Sequence, residues 1–171
     1  MPKHRIAVAL AAILATSQAA SAQSIVRHPT TPPGIILQGV EIPAGATVLH
    51  LSGQVAAPLD STLATPAAER TPADFGDTRT QTISVLRKIE AILAERGYAM
   101  RDVVKLTVFL VGDPALGGRM DFAGMNDGFR RFFGSATNPE TVARSTIQVA
   151  GLAGPGYLVE IEAVAARTSP R

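Results

Sequence analysis

The chain has 171 residues, of which 46% are hydrophobic and 18% are charged, and its formal net charge at pH 7 is +2. It contains no cysteine, which excludes disulfide bonds, thiol catalysis and cysteine-ligated metal ions. Its three histidines are scattered along the sequence without the spacing of metal ligands, so the sequence predicts no metal site.

The first 22 residues have the pattern of a secretory signal peptide. Lys3 and Arg5 form a short basic head, residues 6–15 are an apolar run, and residues 20–22 are the small-residue sequence Ala-Ser-Ala. The apolar run is shorter than the about 20 residues that span a bilayer, so an uncleaved membrane anchor is the less favoured alternative. We therefore expect cleavage after Ala22 and a periplasmic or secreted protein with no membrane segment.

Removal of this segment leaves 149 of the 171 residues, and the remaining chain is formally neutral. The removed part carries two of the 16 basic residues and none of the 14 acidic ones. A neutral chain without a run of Lys and Arg gives little support for nucleic-acid binding. The remaining length suits a single domain.

The first half of this mature chain predicts a leader, two strands and a loop. Residues 23–34 are rich in Pro and Thr and are expected to form a flexible leader. Residues 35–42 and 47–55 are β-forming, and the turn at 43–46 between them is typical of a hairpin. Residues 56–76 show little periodicity and are predicted to form a long loop with room for one helical turn.

The second half predicts two helices that alternate with three strands. In chain order these elements are the helix 77–97, the strand 103–111, the helix 120–134, and the strands 144–152 and 157–165. The first helix is expected to begin at an Asp77 or Thr78 cap and to end at Gly97, and Asp121 is the expected cap of the second. The expected inner faces of the helices consist of Ile83, Leu86, Ile89 or Glu90, and Leu93, and of Met125, Phe129, Phe132 and Phe133. The order β-β-α-β-α-β-β predicts an α+β sandwich with both helices on one face of the sheet.

Several polar residues are candidates for a site. In the strand 157–165, alternation places Glu160 and Glu162 on one face with Leu158, opposite Val159 and Ile161. Taken alone, two such carboxylates are more typical of a solvated face than of a site.

The other candidates are weaker still on pattern alone. Arg144 opens a strand and can donate two hydrogen bonds to a carboxylate, but an arginine at a strand end is usually a surface charge. Ser52 and Gly53 end a strand, where a glycine permits close approach of a ligand or simply a turn. Asn126 is expected on the polar side of the second helix.

The chain also contains four longer sequence blocks in a fixed order. They are LSGQV (51–55), TQTISVLRKIEAILAERGYAMRDVVKLTVFL (80–110), FAGMNDGFRRFF (122–133) and ARSTIQVAGL…VEIEAVA (143–165). Together they resemble the RidA (YjgF-type) family of enamine/imine deaminases, and the RidA-like domain would span residues 35–167. The resemblance implies a chorismate-mutase-like fold that assembles as a homotrimer, with the sheets lining a central barrel and the sites in clefts between subunits.

The resemblance also implies a role for each candidate residue. Arg144 would hold the substrate carboxylate, the backbone N–H of Thr146 would orient the reacting group, and Glu160 would position or activate water. The cleft would be lined by Asn126, Ser52 and Gly53, whereas Glu162 matches a more structural glutamate of the family. The implied reaction converts a small 2-imino acid into a 2-keto acid and ammonia, without a metal or organic cofactor.

The chain departs from the family pattern at several places. Ile36 occupies the position of a family tyrosine, Val142 replaces a usual proline, and the loops 56–76 and 112–120 are longer than is typical. These differences leave a non-catalytic carboxylate-binding protein of the same fold as the alternative to an exported deaminase. Ribonuclease activity, a label often given to the family, ranks last because the mature chain is neutral and has no exposed aromatic platform for RNA.

Overall fold

A mixed sheet of six strands and two helices make up the structure, a computed structural model that describes residues 24–168. The predicted signal peptide lies outside the described residues. The elements are β1 (Val26–Pro29), β2 (Leu37–Glu41), β3 (Thr47–Val55), α1 (Thr78–Glu95), β4 (Val103–Val111), α2 (Phe122–Phe129), β5 (Ala143–Val149) and β6 (Val159–Arg167). The predicted α+β class is confirmed. Neither helix is long and apolar enough to cross a membrane within the described range.

The strand order in the sheet is β1-β2-β5-β4-β6-β3. β5 is parallel to both β2 and β4, and the other pairs are antiparallel. The predicted hairpin between residues 35–42 and 47–55 is therefore wrong, because β2 and β3 lie in different parts of the sheet. β3 instead pairs with β6 and forms one edge of the sheet.

Within the predicted leader, residues 26–29 form β1, which pairs with β2. Arg27 fixes this strand to the domain through a half-buried guanidinium that also pairs with Glu140 at 3.0 Å. Its other acceptors are the carbonyl oxygens of Thr141, Arg101 and Val103, at 2.7, 2.7 and 3.0 Å. Burial lowers the pKa of Arg27, and the charges of Glu140 and Asp102 oppose that shift. The contacts of one long side chain thus hold β1 in place, and the strand lacks the alternation of apolar residues by which strands are usually predicted.

The two helices pack together and cover one face of the sheet. α1 begins at Asp77, whose carboxylate accepts a hydrogen bond from the N–H of Thr80 at 2.8 Å, and Gly97 follows it in the left-handed conformation, as predicted. The fully buried apolar residues of α1 are Val85, Leu86, Ile89 and Leu93. Ile83 was wrongly placed in this stripe and is half-buried.

The second helix is shorter than the predicted 120–134. Asp121 caps it as expected, with its carboxylate 2.8 Å from the N–H of Gly124. α2 ends at Phe129, and hydrogen-bonded turns carry the chain on to Phe133, which stacks on Phe129 at 4.8 Å between ring centroids. The apolar stripe therefore continues into the core although the regular helix has ended.

A buried glutamine ties the long loop 56–76 to the core. The loop contains two short 3-10 turns, Ala67–Glu69 and Pro72–Asp74, where one helical turn was expected. Gln81 of α1 is fully buried and uses all its principal hydrogen-bonding groups. It donates to the carbonyl oxygens of Gly76 and Gly156 and accepts from the N–H of Leu158, at 2.9, 3.0 and 2.9 Å.

Candidate functional site

Arg144 lies between the sheet and α2, on the covered face of β5. It pairs in register with the buried Leu106 of β4, and its own exposure is 9%. Its Nη2 donates to the side-chain oxygen of Asn126 at 2.7 Å. The guanidinium carbon lies 4.4 Å from the ring centroid of Phe129 and 5.9 Å from that of Phe122. The aromatic rings and the amide thus hold the guanidinium in one orientation.

The Arg144 guanidinium has hydrogen-bonding capacity that the described residues do not use. Its Nε and Nη1 atoms are buried and have no partner within residues 24–168. Burial lowers the pKa of Arg144 to about 10, and repulsion from Arg130 contributes to the shift. The group is therefore still a cation at pH 7. A buried cation with free donors is suited to receive a carboxylate, which can accept two parallel hydrogen bonds from a guanidinium.

A surface cleft of about 550 Å³ lies near this arginine, which is not itself one of the lining residues. Phe122 and Asn126 both line the cleft and both contact Arg144, so they connect the cleft to the guanidinium. The remaining lining residues are Leu116, Arg119, Met120, Asp121, Ala123, Asp127 and Arg130. The volume lies within the usual range of small-molecule sites.

The long loop 112–120 forms one wall of this cleft, and Gln148 of β5 fixes it in place. The side-chain oxygen of Gln148 accepts from the N–H of Met120 at 3.0 Å, and its amide nitrogen donates to the carbonyl of Gly118 at 2.9 Å. Gly112 allows this approach, because a side chain there would meet the backbone of Gly118. The extra residues of the loop therefore shape the cleft.

Thr146 lies two residues beyond Arg144 on the same face of β5, in register with the buried Val108. Its hydroxyl oxygen is buried and has no hydrogen-bond partner among the described residues. Asn126 is also buried, at 8% exposure, although the sequence placed it on the polar side of its helix. Arg144 and Asn126 are therefore joined by a hydrogen bond beneath α2, and Thr146 lies on the same face of β5 as Arg144.

Glu160 lies on the opposite, open face of the sheet, where it pairs with Phe109 of β4 and Val55 of β3. Its side chain occupies the space beside Gly53 that a larger residue would fill. A Cβ atom at Gly53 would stand 2.7 Å from the Glu160 carboxyl carbon. The neighbouring Ser52 is exposed, at a register shift in the β3–β6 ladder. Gly53 is thus required for Glu160 to lie where it does, and Ser52, Gly53 and Glu160 form a second group.

Glu162 shares the open face with Glu160 and pairs with Thr107. The predicted alternation of β6 is confirmed at these glutamates and at the buried Val159 and Ile161. It is wrong at Leu158, which is 3% exposed, because this residue precedes the strand and lies in the core.

Within one chain the sheet separates the two groups of predicted site residues. Arg144, Thr146 and Asn126 lie on its helix side, whereas Ser52, Gly53 and Glu160 lie at the open side. A single chain therefore does not bring Arg144 and Glu160 into one cleft. The described residues 24–168 contain no group of three or more His, Cys, Asp and Glu that could hold a metal ion.

The aromatic rings beside the arginine were not predicted from the sequence. Phe129 was assigned to the core and Phe122 received no role, yet both rings flank the Arg144 guanidinium. Their spacing of seven residues, two helical turns, was the available signal, since it places both rings on one side of α2.

The fold and this site define an α+β protein with a buried arginine near a surface cleft. A family model described as Endoribonuclease L-PSP matches residues 40–167. The chain belongs to this family, which is the RidA/YjgF family.

Curated relatives agree with this membership. TdcF of Escherichia coli, described as a putative reactive intermediate deaminase, is 32% identical over 138 residues, which are 80% of this chain and 89% of that protein. Protein DfrA of Myxococcus xanthus is 37% identical over 75% of this chain and 82% of its own length. A RutC family protein of Pyrococcus horikoshii is 39% identical over 90 residues, which span 63% of that relative.

Solved structures share the fold. A Rid family protein of unknown function from Yersinia pestis has a TM-score of 0.55 and 28% identity, with 78% of this chain and 87% of that chain covered. A putative endoribonuclease from Thermotoga maritima has a TM-score of 0.51 and 24% identity, with 86% and 98% covered. At that identity the second likeness concerns the fold alone.

Proposed function

We propose that the protein is an exported RidA-like deaminase that hydrolyses 2-imino acids, or the enamines from which they form, to 2-keto acids and ammonia. The observation that carries this proposal is the buried guanidinium of Arg144 with two unpartnered donors beside a cleft. The description of TdcF as a putative deaminase, at 32% identity over 80% of the chain, supports the reaction class. Export is supported by the signal-peptide pattern, and the N-terminal sequence of protein secreted by its host would test cleavage after Ala22.

The proposed chemistry uses the carboxylate and the imine carbon of the substrate. Arg144 binds the carboxylate in a two-pronged contact and removes its orientational freedom. The backbone N–H of Thr146 orients the reacting group, and Ser52, Gly53 and Asn126 line the cleft. Glu160 accepts a proton from water as the water oxygen bonds to the imine carbon. The imine nitrogen takes up this proton, which gives a carbinolamine. The hydroxyl group then loses its proton and becomes the carbonyl of the 2-keto acid as the carbon–nitrogen bond breaks, and the nitrogen takes up that second proton and leaves as ammonia.

This chemistry needs Arg144 and Glu160 in one cleft, so we propose that the two residues come from neighbouring copies in a homotrimer. Their positions on opposite faces of one sheet support this arrangement. The open face of the sheet also carries the 47% exposed Ile147 and the half-buried Phe109, which a neighbouring copy would cover. A cyclic trimer would form the cleft three times.

The test is a coupled assay in which an amino-acid oxidase generates the 2-imino acid and a trapping reagent competes for it. Wild-type protein should accelerate formation of the keto acid. Arg144→Ala should lower kcat/KM by about 100-fold through loss of a charge-assisted contact, and Glu160→Gln should lower kcat by about 100-fold or more. Equal rates for wild type and both variants would reject the proposed roles.

One observation favours a second candidate, a non-catalytic carboxylate-binding protein. Ile36, at the position of the family tyrosine, packs against the hydrophobic core and offers no hydroxyl to the cleft. Calorimetry with pyruvate and 2-oxobutanoate, alongside the assay, separates the candidates. Binding that requires Arg144 but comes without turnover would favour this candidate over the deaminase.

A further inference from the structure

A second cleft, of about 590 Å³, lies between α1, the turn that follows α2, and the segment before β4. Its lining residues are Ile83, Arg87, Glu90, Ala99, Met100, Arg101, Arg131, Phe132, Thr137 and Asn138. None of them lines the cleft beside Arg144. The volume is again within the usual range of small-molecule sites.

Positive charge is concentrated in this second cleft. Arg87, Arg101 and Arg131 come from three separate segments, and Glu90 is the acidic residue among the lining residues, so three positive charges against one negative leave +2. No carboxylate within residues 24–168 lies within ion-pair distance of these three guanidiniums, whose side chains also make no hydrogen bonds there. The predicted mature chain as a whole is formally neutral, so this excess is local.

The walls of the second cleft are fixed by core packing. Met100 and Asn138 line it and are only 6% and 8% exposed. The amide nitrogen of Asn138 donates to the carbonyl oxygen of Phe132 at 2.8 Å, and its backbone N–H donates to the hydroxyl of Ser135 at 3.1 Å. The concave surface is therefore present before a ligand binds, while the arginine side chains are exposed and free to turn toward it.

We infer that this cleft is a second ligand site, which binds a small polyanion such as a phosphate ester or a di- or tricarboxylate. A guanidinium forms paired hydrogen bonds with phosphate and carboxylate oxygens alike, so both groups suit the arginines. A ligand with one negative charge would satisfy one guanidinium and leave the others unpaired. A ligand with two or more negative charges separated across the cleft would neutralise its +2 excess.

The site can be tested by isothermal titration calorimetry of the mature protein with sodium pyrophosphate, citrate and acetate at low ionic strength. We expect at least one of the two polyanions to bind, and acetate to bind more weakly. If pyrophosphate binds more tightly than citrate, the site prefers phosphate groups, and the reverse order indicates a preference for carboxylates. Arg87→Gln and Arg131→Gln should each weaken the polyanion by about tenfold, because each removes a charge-assisted contact. Unfolding midpoints equal to wild type would show that these exposed positions leave the fold intact.

Two matched variants give the outcomes that would overturn the inference. Arg79→Gln removes the same charge from an exposed position of α1 outside both clefts, and Arg144→Ala removes the cation of the first site. Both should bind the polyanion as wild type does. Three outcomes would contradict a second site. The first is that neither polyanion binds to the wild-type protein. The second is that Arg79→Gln weakens polyanion binding as much as the cleft variants do, and the third is that Arg144→Ala abolishes this binding while Arg87→Gln and Arg131→Gln retain it.

Discussion

Gly53→Ala moves the Glu160 carboxylate without changing its charge. The added Cβ would stand 2.7 Å from the carboxyl carbon of Glu160 and closer still to its Oε1, whereas unbonded heavy atoms pack at about 3.5–4.0 Å, so the carboxyl group must move by more than about 1 Å. Gly53 is not among the glycines with positive φ, so alanine is compatible with its backbone. A misplacement of about 1 Å can cost about 100-fold in rate, and we expect a loss of that size in kcat.

The assay for this variant is the coupled 2-imino-acid assay, with calorimetric binding of pyruvate measured in parallel. Pyruvate affinity should stay within about twofold of wild type, because Arg144 is untouched. Stability should change by less than about 1 kcal/mol, since the displaced atoms end a flexible side chain. Gly39→Ala is the matched control: it lies in β2 with no atom within 4 Å of the added methyl group. Two results would contradict this role of the Glu160 position: a wild-type kcat in folded Gly53→Ala protein, or a fall in kcat in Gly39→Ala as large as that in Gly53→Ala.

Two further predictions concern the charge of the arginine and the buried glutamine. Because the pKa of Arg144 is lowered to about 10, its cation is lost as pH rises through that value. Pyruvate affinity measured by calorimetry should therefore be constant from pH 7 to about 9 and fall about tenfold per pH unit above about 10; constant affinity up to pH 11 would show that the cation is not required. Gln81→Leu removes the hydrogen-bonding partners of Leu158, Gly76 and Gly156, and we expect the free energy of unfolding in urea to fall by about 3 kcal/mol. A loss below about 0.5 kcal/mol would mean that water replaces these contacts.

The sequence predicted the helices and the long strands well because their signals are local. Apolar spacing and the Asp77 cap located α1, and the run at 103–111 located β4 with the bounds that the structure shows. The pairing of strands was less predictable. Hairpin spacing at 43–46 is a local signal, whereas β3 pairs with β6, which lies more than 100 residues away in the sequence. β1 was missed since one arginine, rather than an apolar pattern, holds it.

The features of the candidate site also differ in how well the sequence predicts them. Family resemblance selected Arg144, Asn126 and Glu160, and the structure joins the first two through a 2.7 Å hydrogen bond. Alternation correctly assigned Glu160 to an open face, but the side of the sheet on which Arg144 lies depends on the position of α2, which periodicity cannot give. The close approach of Glu160 to Gly53 is likewise a contact between strands, and sequence shows it only as a glycine at a strand end.

The central claim, that Arg144 of one copy and Glu160 of another act in one cleft, is tested most directly by mixing two inactive variants. Arg144→Ala and Glu160→Gln chains carrying different tags would be co-expressed, and the mixed oligomers isolated by sequential affinity steps and assayed for 2-imino-acid hydrolysis. In a cyclic trimer that contains both kinds of chain, one of the three interfaces would combine an intact Arg144 with an intact Glu160, because each head-to-tail interface draws one residue from each chain. We predict that the isolated mixed oligomers have about a third of the wild-type activity, and mixed oligomers as inactive as their parents would contradict a cleft shared between chains.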